Sequence, residues 1–485
     1  MISVSYGPKP KFHNSRCKNG AHLYRNPSSL VCLACRHFDV GIAGGGAAGL
    51  TAAYFAAKQG VNVCIIEKME ECGKKILISG GTRCNILPHA FDLSDFETTM
   101  PKTGQNKQGL KSVLSRWSLE ECKYWLENDI GIEIELDENT SKYFPASNSA
   151  KEVRNKLLQA CLECNATMLY GCDLQRIEPI SIKDGASIGW RCSFKDKSVD
   201  DVLCKKLIMA TGGRSFPSLG TVGDGYEMLK VVGHSTCPAD PYPALTPLLG
   251  RAPGNEELSG ISLTDVNLSV RLKEQEQTGG SPEKKKKKKK ARIESSKRHD
   301  FLITHRGFSG PSVMDMSHHL VMAMDQGLDV PDLEVSWIQS KDEKTWERML
   351  QQPSDFGLSS RQKLSGALNR AGIPARLSKA LCAESNIPED RILAELRKEE
   401  RISIIRNLTA YKLCITGHEG FPKAEVTAGG VPLSEIDCGS MESRIHPGLY
   451  VIGELLDVFG RIGGFNFLLA WSTGRLAGKS AAESL

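Results

Sequence analysis

The residues best placed by type and spacing to do chemistry are Gly44-Gly45-Gly46-Ala47-Ala48-Gly49. Their G-x-G-x-x-G spacing gives each glycine a task. The first permits a tight turn, the second lets backbone approach a pyrophosphate, and the third lets a helix pack close to a strand. Amide N–H groups at the start of such a helix, with the helix dipole behind them, attract a phosphate. An acid, Glu67, follows Gly49 by 18 residues, where it would meet a ribose hydroxyl. The motif follows a strand-like run and opens a helix-like one, so dinucleotide binding is expected over a glycine-rich turn that holds nothing.

A second set lies at the far end of the chain. Gly448 to Gly453 reads as a short strand running into Glu454, followed by Gly460-Arg-Ile-Gly463-Gly464-Phe465-Asn466 and a long helical pattern. An extended flavin dinucleotide needs such a contact. The acid suits ribitol or ribose hydroxyls, and a helix N-terminus near the ring stabilises the charge of a reduced flavin. FAD is therefore the expected cofactor. There is no second G-x-G-x-x-G, so NAD(P)H, the expected electron donor, would bind across the flavin face without a complete fold of its own.

No residue stands out as a catalytic acid. Cys84 lacks a resolving cysteine at the short spacing of a dithiol relay, which favours a packed small residue. Arg83 beside it suits a phosphate or a flavin carbonyl. His305 and Arg306, in THRGFSGP, could reach the flavin from an insertion, the histidine giving a proton. The favoured alternative is a turn capped by its Thr and Ser. Glu442 and Arg444 read as a surface ion pair, and Asp457 as a cofactor ligand or a cap of the glycine turn. The pairs Cys32-x-x-Cys35 and Cys161-x-x-Cys164 lie in unrelated segments, and no metal site is expected.

These residues need elements to position them. Asp39 to Ala43 and Val61 to Ile66 read as buried strands around a helix from Ala47 to Gln59, stopped by Gly60. Ser118-x-x-Glu121 and Ser149-x-x-Glu152 read as capping boxes. Lys206 to Ala210 is another buried strand, ending at Thr211-Gly212-Gly213. From about Pro238 the texture becomes β-rich, and from about Ser359 to Asn407 helical and charged, before strands return.

The net charge of +5 is carried by two segments. Residues 1–38 hold six Lys/Arg and no acid, and Lys284 to Lys290 is a run of seven lysines, so the remaining body is acidic and general affinity for polyanions is not implied. The basic, Ser-containing start reads as an organelle transit peptide, the alternative being a disordered tail. Its Ser and Pro content, without a clear amphipathic Arg helix, favours the chloroplast over the mitochondrion. The lysine run reads as a solvated loop, with ribosomal RNA as the alternative partner. No apolar run is long enough to span a membrane, so no membrane partner is expected. The sixteen scattered cysteines read as reduced thiols. The oligomeric state is left open.

Seven ordered segments resemble the BaiN/RdsA-like (YhiN-like) NAD(P)/FAD-dependent oxidoreductases, in a plant-type organellar form. They are DVGIAGGGAAGL, GKKILISGGTRCN, MATGGRSFPSLGTVGDGYEML, THRGFSGPSVM, AEVTAGGV, SMESR and GLYVIGELLDVFGRIGGFN. The resemblance implies an α/β fold: a discontinuous, Rossmann-like FAD-binding domain of the two-dinucleotide-binding type, with a β-rich insertion and a small helical insertion. The expected division is a transit peptide at 1–38, the FAD-binding domain at 39–237 and 426–485, the β-rich insertion at 238–335 and 409–425 with a Lys-rich loop at 275–296, and the helical insertion at 336–408. It also implies that FAD touches Gly44, Gly45, Gly46, Ala48, Gly49, Glu67, Lys68, Arg83, Thr211, Gly212, Gly453, Glu454, Gly463, Gly464, Phe465 and Asn466. Three departures from the family pattern stand out: Ile86-Leu87 after Asn85, Leu468 after the terminal glycine motif, and Ser440-Met-Glu-Ser-Arg444. The first two remove polar groups from ring-side positions, so substrate specificity does not transfer directly.

The expected activity is hydride transfer from NAD(P)H through FAD to an enone-like C=C bond of a small molecule. One alternative reduces uridine to dihydrouridine in organellar large-subunit rRNA, which uses the same conjugated chemistry. A further alternative is an FAD-binding protein without catalysis.

Overall fold

The computed structural model describes residues 36–100, 105–181, 188–255, 257–272 and 292–485. The run Lys284–Lys290 and most of the leader lie outside them. The first strand, β1, spans Arg36–Ala43, so it begins three residues inside the span assigned to the leader. A strand at Arg292–Ser295 likewise occupies the end of the segment read as a lysine-rich loop.

β1 lies at the centre of the main sheet because its C-terminal half, like the four residues of β2 (Val63–Ile66), is wholly buried. Parallel strands covered on both faces require such unbroken apolar runs. β1 pairs in parallel with β2 on one side and with Val202–Met209 on the other. The sheet continues in parallel from β2 to Thr167–Leu169 and from Val202–Met209 to Leu449–Val451, so a strand from near the C-terminus lies one strand away from β1. The strands Leu174–Ser181 and Ile188–Phe194 extend from Val202–Met209 as an antiparallel meander.

The helix α1 (Ala47–Ala57) connects β1 to β2, and Gly60 after it has φ +82°. Ten of its eleven residues are buried, so it is covered on several sides. One cover is the C-terminal helix Phe465–Glu483, whose Gly474 and Gly478 face α1 backbone. A Cβ at Gly474 would lie 2.6 Å from the Ala48 carbonyl oxygen, and one at Gly478 would lie 2.3 Å from that of Ala52. Only glycine permits this backbone-to-backbone approach, which ties the two chain ends together.

Ser118 and Glu121 form the expected capping box, with Ser118 N–H donating to Glu121 Oε2 at 2.8 Å. Ser149 occupies the N-cap of Ala150–Glu163 but its side chain makes no capping hydrogen bond, and the Glu152 carboxylate accepts from the Ser147 hydroxyl instead.

The inserted region builds two antiparallel sheets. One runs Ser262–Leu263, Phe301–Ile303, Gly307–Ser309, Leu248–Arg251 and Cys414–His418. The other runs Arg292–Ser295, Asn267–Leu272, Leu333–Ser336 and Tyr411–Lys412. A helix at Pro311–Asp325 packs among them, although its segment reads as β-rich. Shorter helices, Glu343–Gln351, Leu364–Arg370, Ala375–Glu384 and Lys398–Thr409, follow. Cys237–Ala244 and Val426–Gly430 form a separate antiparallel pair at the two ends of the segment that holds these sheets. No helix among the described residues is long and apolar enough to cross a membrane.

Candidate dinucleotide site

The turn between β1 and α1 is built by close approach. A Cβ on Gly44 would lie 2.4 Å from the Ala210 carbonyl oxygen, and one on Gly49 would lie 1.9 Å from that of Gly44. Gly46 differs: a Cβ there would meet nothing within 4 Å, because it faces a cavity. Gly46 is the N-cap of α1, with no side chain capping the helix and no acid in its first turn. The first-turn amides therefore form an open anion cradle.

Glu67 sits just beyond β2 with its carboxylate held from both sides. Gly45 N–H donates to Oε2 and Met69 N–H to Oε1, each at 2.8 Å. Lys68 also lines the cavity, but its ammonium is paired with Asp224 at 3.0 Å and Asp173 at 3.4 Å. Thr211 and Gly212 enter from the end of Val202–Met209.

The C-terminal set lines the same cavity through Gly453, Glu454, Gly463, Gly464 and Asn466. A Cβ on Gly453 would lie 3.0 Å from that of Ala48, which shows how closely the two sets converge. Glu454 is fixed by Lys75 Nζ at 2.7 Å and by Thr427 N–H at 2.9 Å. Gly464 caps the C-terminal helix without a side chain, giving the cavity a second open helix N-terminus. The residues fit an extended dinucleotide: one helix start for its diphosphate, acids for its hydroxyl groups, and a second helix start at the other end.

Several expected contacts fall elsewhere. Gly49 does not line the cavity and acts only in packing. Arg83 turns away, donating to Asn148 Oδ1 at 2.7 Å and lying over the Phe144 ring at 4.1 Å. Phe465 is buried and meets Phe96 edge-to-face at 5.9 Å. Asn466 does line the cavity, but its amide closes the glycine turn through Gly460 N–H at 2.8 Å and Gly460 O at 2.7 Å.

The candidate reactive residues are also displaced. Cys84 is fully buried outside the cavity, and burial pushes its thiol up to about 12, the opposite of a reactive thiolate. His305 and Arg306 sit exposed at the hairpin between Phe301–Ile303 and Gly307–Ser309, away from the cavity. There Thr304 Oγ1 accepts from Gly307 N–H at 3.1 Å, and Arg306 pairs with Glu419 at 2.8 Å. Asp457 neither lines the cavity nor caps the glycine turn. It accepts from Thr99 and Met100 N–H at 3.0 and 3.2 Å, and burial pushes its carboxyl up to about 7. Glu442 accepts from Gly448 N–H rather than pairing with Arg444.

Sequence reasoning missed other residues of the wall. Lys75, Ser79 and Asn85 line the cavity from the GKKILISGGTRCN segment, and Glu425 and Ile462 from the later part of the chain. The signal for Glu425 was an acid immediately before a fully buried strand, Val426–Gly430.

Fold and cavity together define a Rossmann-type dinucleotide-binding protein. The chain belongs to the HI0933-like protein Rossmann domain family, which matches residues 38–480. Among curated proteins, it is 29% identical over 444 residues to the ribosomal RNA dihydrouridine synthase of Escherichia coli strain K12, covering 90% of this chain and 96% of that one. The corresponding Haemophilus influenzae synthase is 29% identical over 452 residues, 89% of this chain and 95% of that one. The 3-dehydro-bile acid delta(4,6)-reductase of Clostridium scindens is 29% identical over 456 residues, covering 92% and 99%.

Proposed function

We propose that the chain is an FAD-dependent oxidoreductase that carries hydride from NAD(P)H to an enone-like C=C bond. The observation that carries this reading is the single cavity lined by both Gly46 and Gly463–Gly464, with a bare helix start at each end. Bound there, FAD would supply hydride acceptance and delivery, chemistry no side chain provides. The chain's own part is to bind and orient. The α1 amides hold a diphosphate, Glu67 and Glu454 receive hydroxyl groups, and the C-terminal helix start favours negative charge beside it. The bile-acid reductase among the relatives supports a small-molecule substrate with a conjugated double bond.

The test is direct. Purified protein should be yellow and release FAD on denaturation, and anaerobic NADH or NADPH should bleach it. A protein that cannot be reconstituted with FAD would refute the reading.

The two rRNA dihydrouridine synthases among the relatives favour a second reading, reduction of a uridine in large-subunit rRNA. Mass spectrometry of rRNA nucleosides from a loss-of-function line separates the two: loss of a dihydrouridine selects RNA, unchanged rRNA the small molecule. Residues 1–38 belong to the proposal as a chloroplast address, with the mitochondrion as alternative. Fusing them to a fluorescent reporter tests that address, and a reporter left in the cytosol would reject it.

A further inference from the structure

Six carboxylates line the cavity: Glu67, Glu71, Asp173, Asp224, Glu425 and Glu454. Five are committed. Glu67 holds two backbone amides. Glu71 pairs with Arg154 at 2.7 Å, Asp173 and Asp224 with Lys68, and Glu454 with Lys75. Glu425 alone has no hydrogen bond or ion pair from its carboxylate among the described residues. The backbone fixes where it points. Glu425 N–H donates to Leu245 O at 3.1 Å, continuing the ladder between Cys237–Ala244 and Val426–Gly430. Residues two apart on a strand share a face, so Glu425 points the same way as Thr427, whose hydroxyl accepts from Arg214 N–H at 2.7 Å. That face looks into the cofactor domain. Glu425 is accessible and lines the cavity, as Ile462 and Gly463 do.

We propose that Glu425 is the catalytic acid that gives the substrate its proton. This rests on the reductase reading above. A conjugated C=C–C=O group would receive hydride, with its electron pair, at the carbon remote from the carbonyl, the chemistry that a bound flavin would supply. The double-bond electrons shift toward the oxygen, and the carbon next to the carbonyl takes the proton as the Glu425 O–H bond breaks. The carboxylate regains a proton from water, so each saturated product consumes one NAD(P)H and one proton. The environment suits an acid. Enclosure raises the Glu425 carboxyl, against the opposing ammoniums of Lys75 and Lys142. Lys75 is neutralised by Glu454, and Lys142 faces Arg298 and Asp315. Because desolvation in the cavity outweighs these ammoniums, the protonated form persists to higher pH than in a free glutamate, and proton delivery is lost as pH rises through the raised value.

Glu425→Gln and Glu425→Asp test this on FAD-loaded protein, with 4-androstene-3,17-dione and a large-subunit rRNA transcript as probes. Flavin content and melting temperature report folding. In Glu425→Gln, flavin reduction should keep its wild-type rate, while reoxidation by the active probe slows by about 10²–10⁴-fold. Glu425→Asp should recover part of that rate. The absorption spectrum of the bound, oxidised flavin, titrated with pH in the absence of substrate, should show a step in the wild type that Glu425→Gln lacks. Wild-type reoxidation and an unchanged spectral step in Glu425→Gln would overturn the proposal and leave the reductase reading standing. A wild type that binds no FAD, or that neither probe reoxidises, would overturn both.

Discussion

At the scale of single residues, the glycines of one motif differ in what they tolerate. Gly46→Leu should fold normally, because the new side chain enters open space, but it should fill the anion cradle and abolish FAD binding. Gly49→Ala should cost about 1–3 kcal/mol of stability by forcing α1 off β1 and weaken FAD secondarily. Melting curves and flavin titrations of the two variants should separate in that way. Cys84→Ala should leave flavin reduction unchanged, since a thiol raised to about 12 contributes no thiolate. A large loss in reduction rate at constant flavin content would contradict this. Asp457 links pH to stability. Its folded carboxyl is raised to about 7, so between its unfolded value near 3.9 and 7 the folded state binds the extra proton. Stability from this group is complete at low pH and falls as pH rises toward 7, by at most about 1.4 kcal/mol per pH unit. Asp457→Asn should be less stable overall, because its NH₂ meets the Thr99 and Met100 donors, but its denaturant midpoint should fall less between pH 5 and 7 than the wild type's.

At the scale of elements, the contact between α1 and the C-terminal helix closes the site, and two glycines permit it. Gly478→Leu should push the helix from the Ala52 carbonyl, lower the melting temperature and weaken FAD in proportion. A variant that melts like the wild type and binds FAD equally well would show that this contact does not hold the site. The same scale shows what the sequence could reveal. β1, α1 and β2 were legible because glycine spacing and unbroken apolar runs are local signals. The helix Pro311–Asp325 was not, although Pro311 directly after Gly310 is a helix-start signal, because the surrounding alternation reads as β. Ser149 reads as half of a capping box, but its side chain makes no capping bond and the Glu152 carboxylate accepts from Ser147. His305 and Arg306 drew attention by residue type, yet a turn is a complete account of them. Glu425 and Lys75 escaped notice because they line one cavity from segments about 350 residues apart, a juxtaposition that only folding produces.

At the scale of the whole molecule, two antiparallel sheets and a helical segment lie in sequence between the main-sheet strands, and the chain after them, from Glu425 on, completes the cavity. The return strand both anchors Glu454 through Thr427 and carries Glu425 to the wall. The inserted region thus contributes directly to the site that the two ends enclose, and one FAD is expected to bridge those ends. A crystal structure of the FAD-reconstituted protein tests it most directly. It should show one FAD per chain, its diphosphate against the amides of Gly46 to Ala48 and its ring beside Gly463 and Gly464. FAD bound elsewhere on the chain, or this cavity without FAD at saturating cofactor, would contradict it.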